Sequence, residues 1–154
     1  MSIVSIRSEL KIILESITGI GTVHDYIRHW AGNERSFRDK FETSEHILHA
    51  WQITRRASDE KVLNQNVQNL RRHDFLFFGV YGLKDEDASE KTFQDFIEII
   101  CNTLRINSKQ PAPFSGTVLR AGPPQVERVE HKNFNGKLVH SADLSIWVDE
   151  FISF

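Results

Sequence analysis

Apolar residues recur at helical spacing near the start of the chain, where Ile6, Leu10, Ile13, Leu14 and Ile17 share one face. The run stops at Gly19 and Gly21, the residue type that ends helices at low steric cost. This pattern predicts an amphipathic N-terminal helix. A short extended piece is expected at 22–26. The polar stretch 33–41 follows, in which Phe37 and Phe41, four apart, support at best a two-turn helix. Over 45–55 the period changes. Ile47, His49, Trp51 and Ile53 alternate with His46, Leu48, Ala50 and Gln52, as in a strand with one apolar face.

Residues 56–72 are polar and rich in Asn and Gln, so a projecting loop or long hairpin is expected there. Over 73–83 the pattern is apolar on both alternating faces: Phe75, Phe77 and Tyr81 on one, Leu76, Phe78 and Val80 on the other. That is the pattern of a central strand covered on both sides. Asp87 stands three residues before Glu90 in a capping-box-like pair. Phe93, Phe96, Ile97, Ile100, Cys101 and Leu104 then form the clearest amphipathic stripe in the chain. This helix is expected to pack on the sheet and to end near Arg105. A linker holding Pro111, Pro113, Pro123 and Pro124 leads to strands predicted at 126–132 and 137–151. Asn135-Gly136 between them is a hairpin signal, because both turn positions favour positive φ. The last strand puts Leu138, His140, Ala142, Leu144, Ile146 and Val148 on one face, with Ser141, Asp143, Ser145 and Asp149 on the other.

Composition narrows the class. A chain of 154 residues is one domain in size, and such a domain buries about 68–70% of the surface its unfolded chain exposes. The expectation is one soluble α/β domain over 1–154. Nineteen basic residues stand against 21 acidic ones, which disfavours nonspecific nucleic-acid binding. Cys101, the only cysteine, excludes an intramolecular disulfide framework and fits a reducing compartment. No segment reaches the length of a membrane span, and the polar start lacks the apolar core of a signal peptide. The protein is expected to be made and kept in the cytosol unless it leaves in an assembly.

Candidate chemistry is sparse. His46 and His49 are three apart, but on a strand an odd separation sends the rings to opposite faces. A turn at Asn135-Gly136 places His131 across from His140 with Cβ atoms about 5 Å apart, close enough to share a metal or sense pH. Without further ligands, a polar pair at a sheet rim is the simpler account. Asp85, Glu86 and Asp87 sit where negative charge favours the start of the following helix. Ser44-Glu45-His46 and Ser141-Ala142-Asp143 hold hydrolase residue types without a motif that fixes a nucleophile beside a base. Cys101 lies on an apolar stripe as a small hydrophobe, and Gly19, Gly21, Gly79 and Gly82 make no phosphate-binding loop. Arg55-Arg56 and Arg71-Arg72 flank the polar segment and could together form a modest positive patch or simply be solvated stems. No catalytic, cofactor-binding or metal-binding residue is assigned on these grounds, and no cofactor is expected.

The order of features resembles the tail terminator (tail completion) proteins of long-tailed bacteriophages and related prophages. The resemblance rests on SIRSELKIILESITGIGTVHDY, HAWQITR, FLFFGVYGLKDEDASEKTFQDFIEII and FNGKLVHSADLSIWV, and covers nearly the whole chain in order. These are patterns of hydrophobicity and turns, and the family has no catalytic motif to add to them. The resemblance implies an α+β (α/β) subunit, a mostly antiparallel sheet with amphipathic helices packed on one face. It implies a non-enzymatic virion protein, six copies of which form a ring that caps the tail tube, stops its polymerisation and meets the head-side connector. Its partners would be itself, the tail tube protein and the head-tail connector protein, with DNA only as cargo and no membrane. It would be found in the virion tail, and in host cytoplasm during assembly. The near-neutral charge suits a ring through which DNA slides. The polar 56–72 segment departs from a compact pattern, and no individual functional residue carries over. The alternatives are another head-tail connector or tail assembly component, and a small cytosolic enzyme or ligand-binding domain using His131, His140 and nearby acids.

Overall fold

The periodic segments pair into one mixed sheet flanked by helices, an α+β fold. A computed structural model describes residues 3–28, 34–43, 47–64, 67–134 and 137–153. Its strands are β1 (Thr22–His24), β2 (His49–Asn64), β3 (Gln68–Gly82), β4 (Arg120–Ala121), β5 (Gln125–Phe134) and β6 (Lys137–Ser153). The helices are α1 (Ile3–Glu15), α2 (Glu34–Phe41) and α3 (Ser89–Asn107). The strand order is β1-β2-β3-β6-β4, with β5 also paired to β6. Only β1 and β2 run parallel; the other pairs are antiparallel.

The apolar stripes predicted on α1 and α3 meet one face of this sheet. Leu10, Leu14, Phe93, Ile97, Ile100 and Leu104 close over Trp51, Ile53, Phe75, Phe77, Leu144 and Ile146 in one buried cluster. Removing each such side chain from water stabilises the fold by roughly 1.5–3 kcal/mol. Gly79 faces Trp51 across the β2–β3 ladder, and a Cβ there would overlap the indole ring. A glycine in a central strand is therefore the space the tryptophan occupies.

A smaller cluster lies on the far face. Phe41, the last residue of α2, packs with Leu48, Ala50, Val80 and Val139. The His24 ring donates to the Lys40 carbonyl (2.7 Å), tying β1 to the same helix. α1 and α3 thus pack on one face of the sheet, and α2 reaches the other through Phe41, against Leu48, Ala50 and Val80.

The 56–72 segment is a long hairpin, its arms formed by β2 to Asn64 and β3 from Gln68. β2 and β3 pair from His49↔Tyr81 to Asn64↔Gln68, with register shifts between Arg55 and Ala57 and between Val62 and Asn64. β2 is exposed from Arg56 onward, so polar residues continue the ladder where no helix covers it. The hairpin between β5 and β6 has Phe134 paired with Lys137, as the Asn135-Gly136 signal requires, although those two residues lie outside the described ones. α3 runs to Asn107, two residues past the expected end. The Asp87–Glu90 capping box is not formed. Asp85–Asp87 make a 3-10 turn, and Ala88, in the left-handed region (φ 52°, ψ 45°), precedes α3 with no side-chain cap. The chain enters α3 from a turn, so Asp87 never reaches the capping position.

Candidate functional site

His49 occupies the apolar face of β2 beside Trp51. The indole Nε1 donates to His49 Nε2 (3.1 Å), and Phe96 and Tyr81 lie 4.6 and 4.9 Å from its ring centre. Burial pushes its pKa down to about 4, against the opposing pull of a hydrogen bond to the Gly19 backbone. It is a neutral core residue. His46, expected on the opposite face of the strand from His49, lies outside the described residues, as do Ser44 and Glu45.

The cross-strand pair is in place: His131 on β5 is the direct partner of His140 on β6. His140 is buried, and its ring stacks on Phe93 at 5.8 Å. Its Nε2 lies 2.8 Å from Ser89 Oγ, which also receives the Lys84 N–H at 2.8 Å. Ser89 Oγ accepts the Lys84 N–H and keeps one hydrogen and one lone pair for Nε2, so the tautomer of the imidazole sets the direction of that bond. Burial lowers the His140 pKa, Glu90 and Asp85 oppose that shift, and His131 adds to it. The ring therefore stays neutral at neutral pH. Sequence reading missed Ser89; its signal was a serine opening a helix directly after a cluster of acids.

His131 and His140 line a cleft of about 520 Å³ between the start of α3 and the β5–β6 hairpin. Leu83, Leu138 and Val129 supply apolar wall, and Asp85, Glu90 and Glu130 supply negative charge. Among the described residues no group of three or more His, Cys, Asp or Glu side chains could hold a metal ion. Ser141 and Asp143 lie on the opposite face of β6 from His140, so the alternation separates them from the imidazole. Cys101 is buried on α3, with its thiol pKa raised by burial.

Of the arginines flanking the hairpin, Arg56, Arg71 and Arg72 are engaged in ion pairs and are neither gathered into an open positive patch nor left as simple solvated stems. Arg56 bonds Asp74 (2.7 Å) and grips both carboxylate oxygens of Glu127, whose carboxyl this arginine holds below its usual range. Arg56 and Glu127 are the extra residues of two β-bulges, on β2 and β5, and they meet across the intervening β3 and β6. Arg72 bonds Asp149 through two nitrogens (2.8 and 3.0 Å) and lies 3.7 Å over the Trp147 ring. Arg120 reaches the same carboxylate at 2.6 Å. Burial works against the Asp149 charge, but the two arginines outweigh it and hold the pKa below its usual value. On the other face Arg71 pairs with Glu60 (2.7 Å), and His73 lies 2.8 Å from Glu150.

No protein-family model matches the chain, and no curated protein matches it. No helix among the described residues is long and apolar enough to cross a membrane.

Proposed function

We propose that the chain is a structural, non-enzymatic subunit of the phage tail terminator type. Copies of it would form a ring at the end of the tail tube, stop polymerisation and join the tail to the head connector. The observation that carries this reading is the open flanks of the sheet. Among the described residues, β2 has no strand on its outer edge beyond its three-residue contact with β1, and β5 pairs only with β6. Unpaired strand edges are ready templates for another chain. Two different surfaces at opposite flanks suit the head-to-tail contacts that close rings. The ion-paired arginines leave the hairpin without a free basic stripe, which suits a protein that DNA passes without being held. On this reading the partners are other copies, the tube protein and the connector, within the virion or, during assembly, in the host cytoplasm.

The test is molar mass by light scattering over a dilution series, with negative-stain images taken with and without tail tubes. Six-membered rings, or density added to tube ends, are expected. A stable monomer or dimer that ignores tube ends would overturn the proposal. The cleft beside His140 would then favour the second reading, a small ligand-binding domain or enzyme.

A further inference from the structure

Large apolar side chains lie uncovered at the end of the β2–β3 hairpin. Val62, Leu63 and Val67 are 66%, 51% and 52% exposed, while the arms behind them carry ion pairs such as Glu60 with Arg71 (2.7 Å). Val62 and Leu63 are consecutive, and a register shift between Val62 and Asn64 interrupts the ladder at Leu63. Apolar side chains in water add nothing to a fold until something covers them.

A hollow of matching chemistry lies at the other end of the same ladder. Ile47, His49, Tyr81 and Phe96 line a cleft of about 450 Å³, with Thr22 and Thr43 in its wall. No charged side chain among the described residues lines it, and burial keeps His49 neutral at neutral pH. The clefts beside His140, Trp147, Arg120 and Lys84 all hold charged side chains in their walls. A phosphate or an ammonium group would lose water in the neutral cleft with no opposite charge to replace it, whereas an aliphatic side chain gains by entering. Tip and cleft of one chain cannot meet. His49↔Tyr81 and Asn64↔Gln68 stand at opposite ends of the ladder, and β3, which spans it, has 15 residues, about 50 Å of strand. Complementary surfaces at opposite ends of one chain are both covered when copies meet head to tail. We propose that the hairpin tip of one copy, through Val62, Leu63 and Val67, seats in the cleft lined by Ile47, Tyr81 and Phe96 of the next. This contact presupposes the assembly of copies proposed above, though not a ring of six.

The test combines two variants so that only this contact can form. Val62→Ser/Leu63→Ser removes the tip and keeps the cleft; Ile47→Lys puts a charge in the cleft and keeps the tip. All three positions are exposed, and the amide spectrum of each variant reports whether it is folded. The tip variant, isotope-labelled, is titrated with the unlabelled cleft variant while nuclear magnetic resonance follows the Ile47 methyl groups and the Tyr81 and Phe96 rings. These signals are expected to saturate with a midpoint at or below about 1 mM. The triple variant Val62→Ser/Leu63→Ser/Ile47→Lys, added instead, is expected to bind at least tenfold more weakly. In the unaltered chain the same signals must move on dilution, and added salt must not weaken the association they report, a comparison that needs no variant. Light scattering on the same samples reports rings separately. No saturation, an equal response to the triple variant, or rings that leave Ile47, Tyr81 and Phe96 unmoved would overturn the contact, and would mean that tip and cleft serve other partners. Saturation without rings in solution or density at tube ends would support the contact and overturn the terminator reading instead.

Discussion

The two halves of the β2–β3–β6 ladder use the same backbone pairing and opposite chemistry. In the half near α1 and α3, Trp51, Ile53, Phe75, Phe77, Leu144 and Ile146 are all buried in one apolar cluster. In the half beyond Arg56, side chains meet through polar and charged groups: Glu60 with Arg71, Arg72 and Arg120 with Asp149, and the His73 ring with the Glu150 carboxyl group. Exposed ion pairs contribute little net stability, whereas buried apolar area contributes most of it. The far half is therefore an extension supported by the near half. Asp149 and Glu150 mark how differently its two faces are treated. They are neighbours, both buried, and point to opposite faces. The Asp149 carboxylate has arginine partners on both oxygens, while Glu150 Oε2 has no hydrogen-bond partner among the described residues.

The largest effect that can break this comparison is a truncation in the near half. Trp51→Ala removes a fully buried ring that stacks on Phe93 and fills the space above Gly79. Its expected cost is about 3–5 kcal/mol by urea denaturation. Val62→Ala, at an exposed position near the hairpin tip, is expected to change stability by less than about 0.5 kcal/mol. Comparable losses from the two substitutions would mean that the far half contributes to the core after all.

The next effect belongs to His49, also in the near half. Its native pKa of about 4 lies below the 6.5 of an unfolded histidine, so the unfolded chain binds the extra proton between these values. The stability tied to the neutral ring is full above about pH 6.5 and is lost as pH falls towards about 4, a change on the order of 3 kcal/mol. His24 and His140, also lowered, act in the same direction. Stability measured from pH 7 to pH 4 should fall less steeply in His49→Gln than in the unaltered chain. An identical slope in the two would place the titration elsewhere.

The same division explains what could be read from the sequence. Near-half elements were legible because burial enforces periodicity: the α1 and α3 stripes and the alternations around Trp51, Phe77 and Leu144 each predicted the correct element and face. The far half lacked that signal. Its residues are polar on both faces, so β2 from Arg56 to Asn64 looked like a loop as readily as a strand. The cross-strand position of His131 and His140 followed from a turn signal. Ser89 did not, because its contact with His140 joins residues 51 apart in the chain. The pairing of Arg56 with Glu127 depends on two bulges, and a one-residue insertion in a ladder leaves no periodic trace in polar sequence.

Asp149 comes third in size and sharpens the far-half side of the comparison. Asp149→Asn removes the charge that Arg72 and Arg120 share, and is expected to cost about 1–3 kcal/mol. The arginine side chains are about half exposed, which favours the lower end of that range. The native carboxyl pKa is lowered, so its contribution is full above the unfolded value of a carboxyl group. It is lost as pH falls below that value and through the native one. Denaturation at pH 7 and at pH 3 should therefore show a smaller difference between the variant and the unaltered chain at the acid end.

The smallest expected effect is the most specific. Arg56 and Glu127 pair through both carboxylate oxygens, yet their side chains are 36% and 30% exposed. A double-mutant cycle of Arg56→Ala and Glu127→Ala should give a coupling of about 0.2–1 kcal/mol that shrinks as salt is added. Asp74 complicates the single variants, since it also bonds Arg56, and the cycle is what isolates the Glu127 contribution. A coupling near 3 kcal/mol, insensitive to salt, would mean that the pair is effectively desolvated and fastens β5 to β2 across the sheet. The far face would then have a structural centre of its own, and the two halves would no longer differ in kind. A small, screened coupling leaves the bulges to direct these side chains and the backbone ladder to hold the strands.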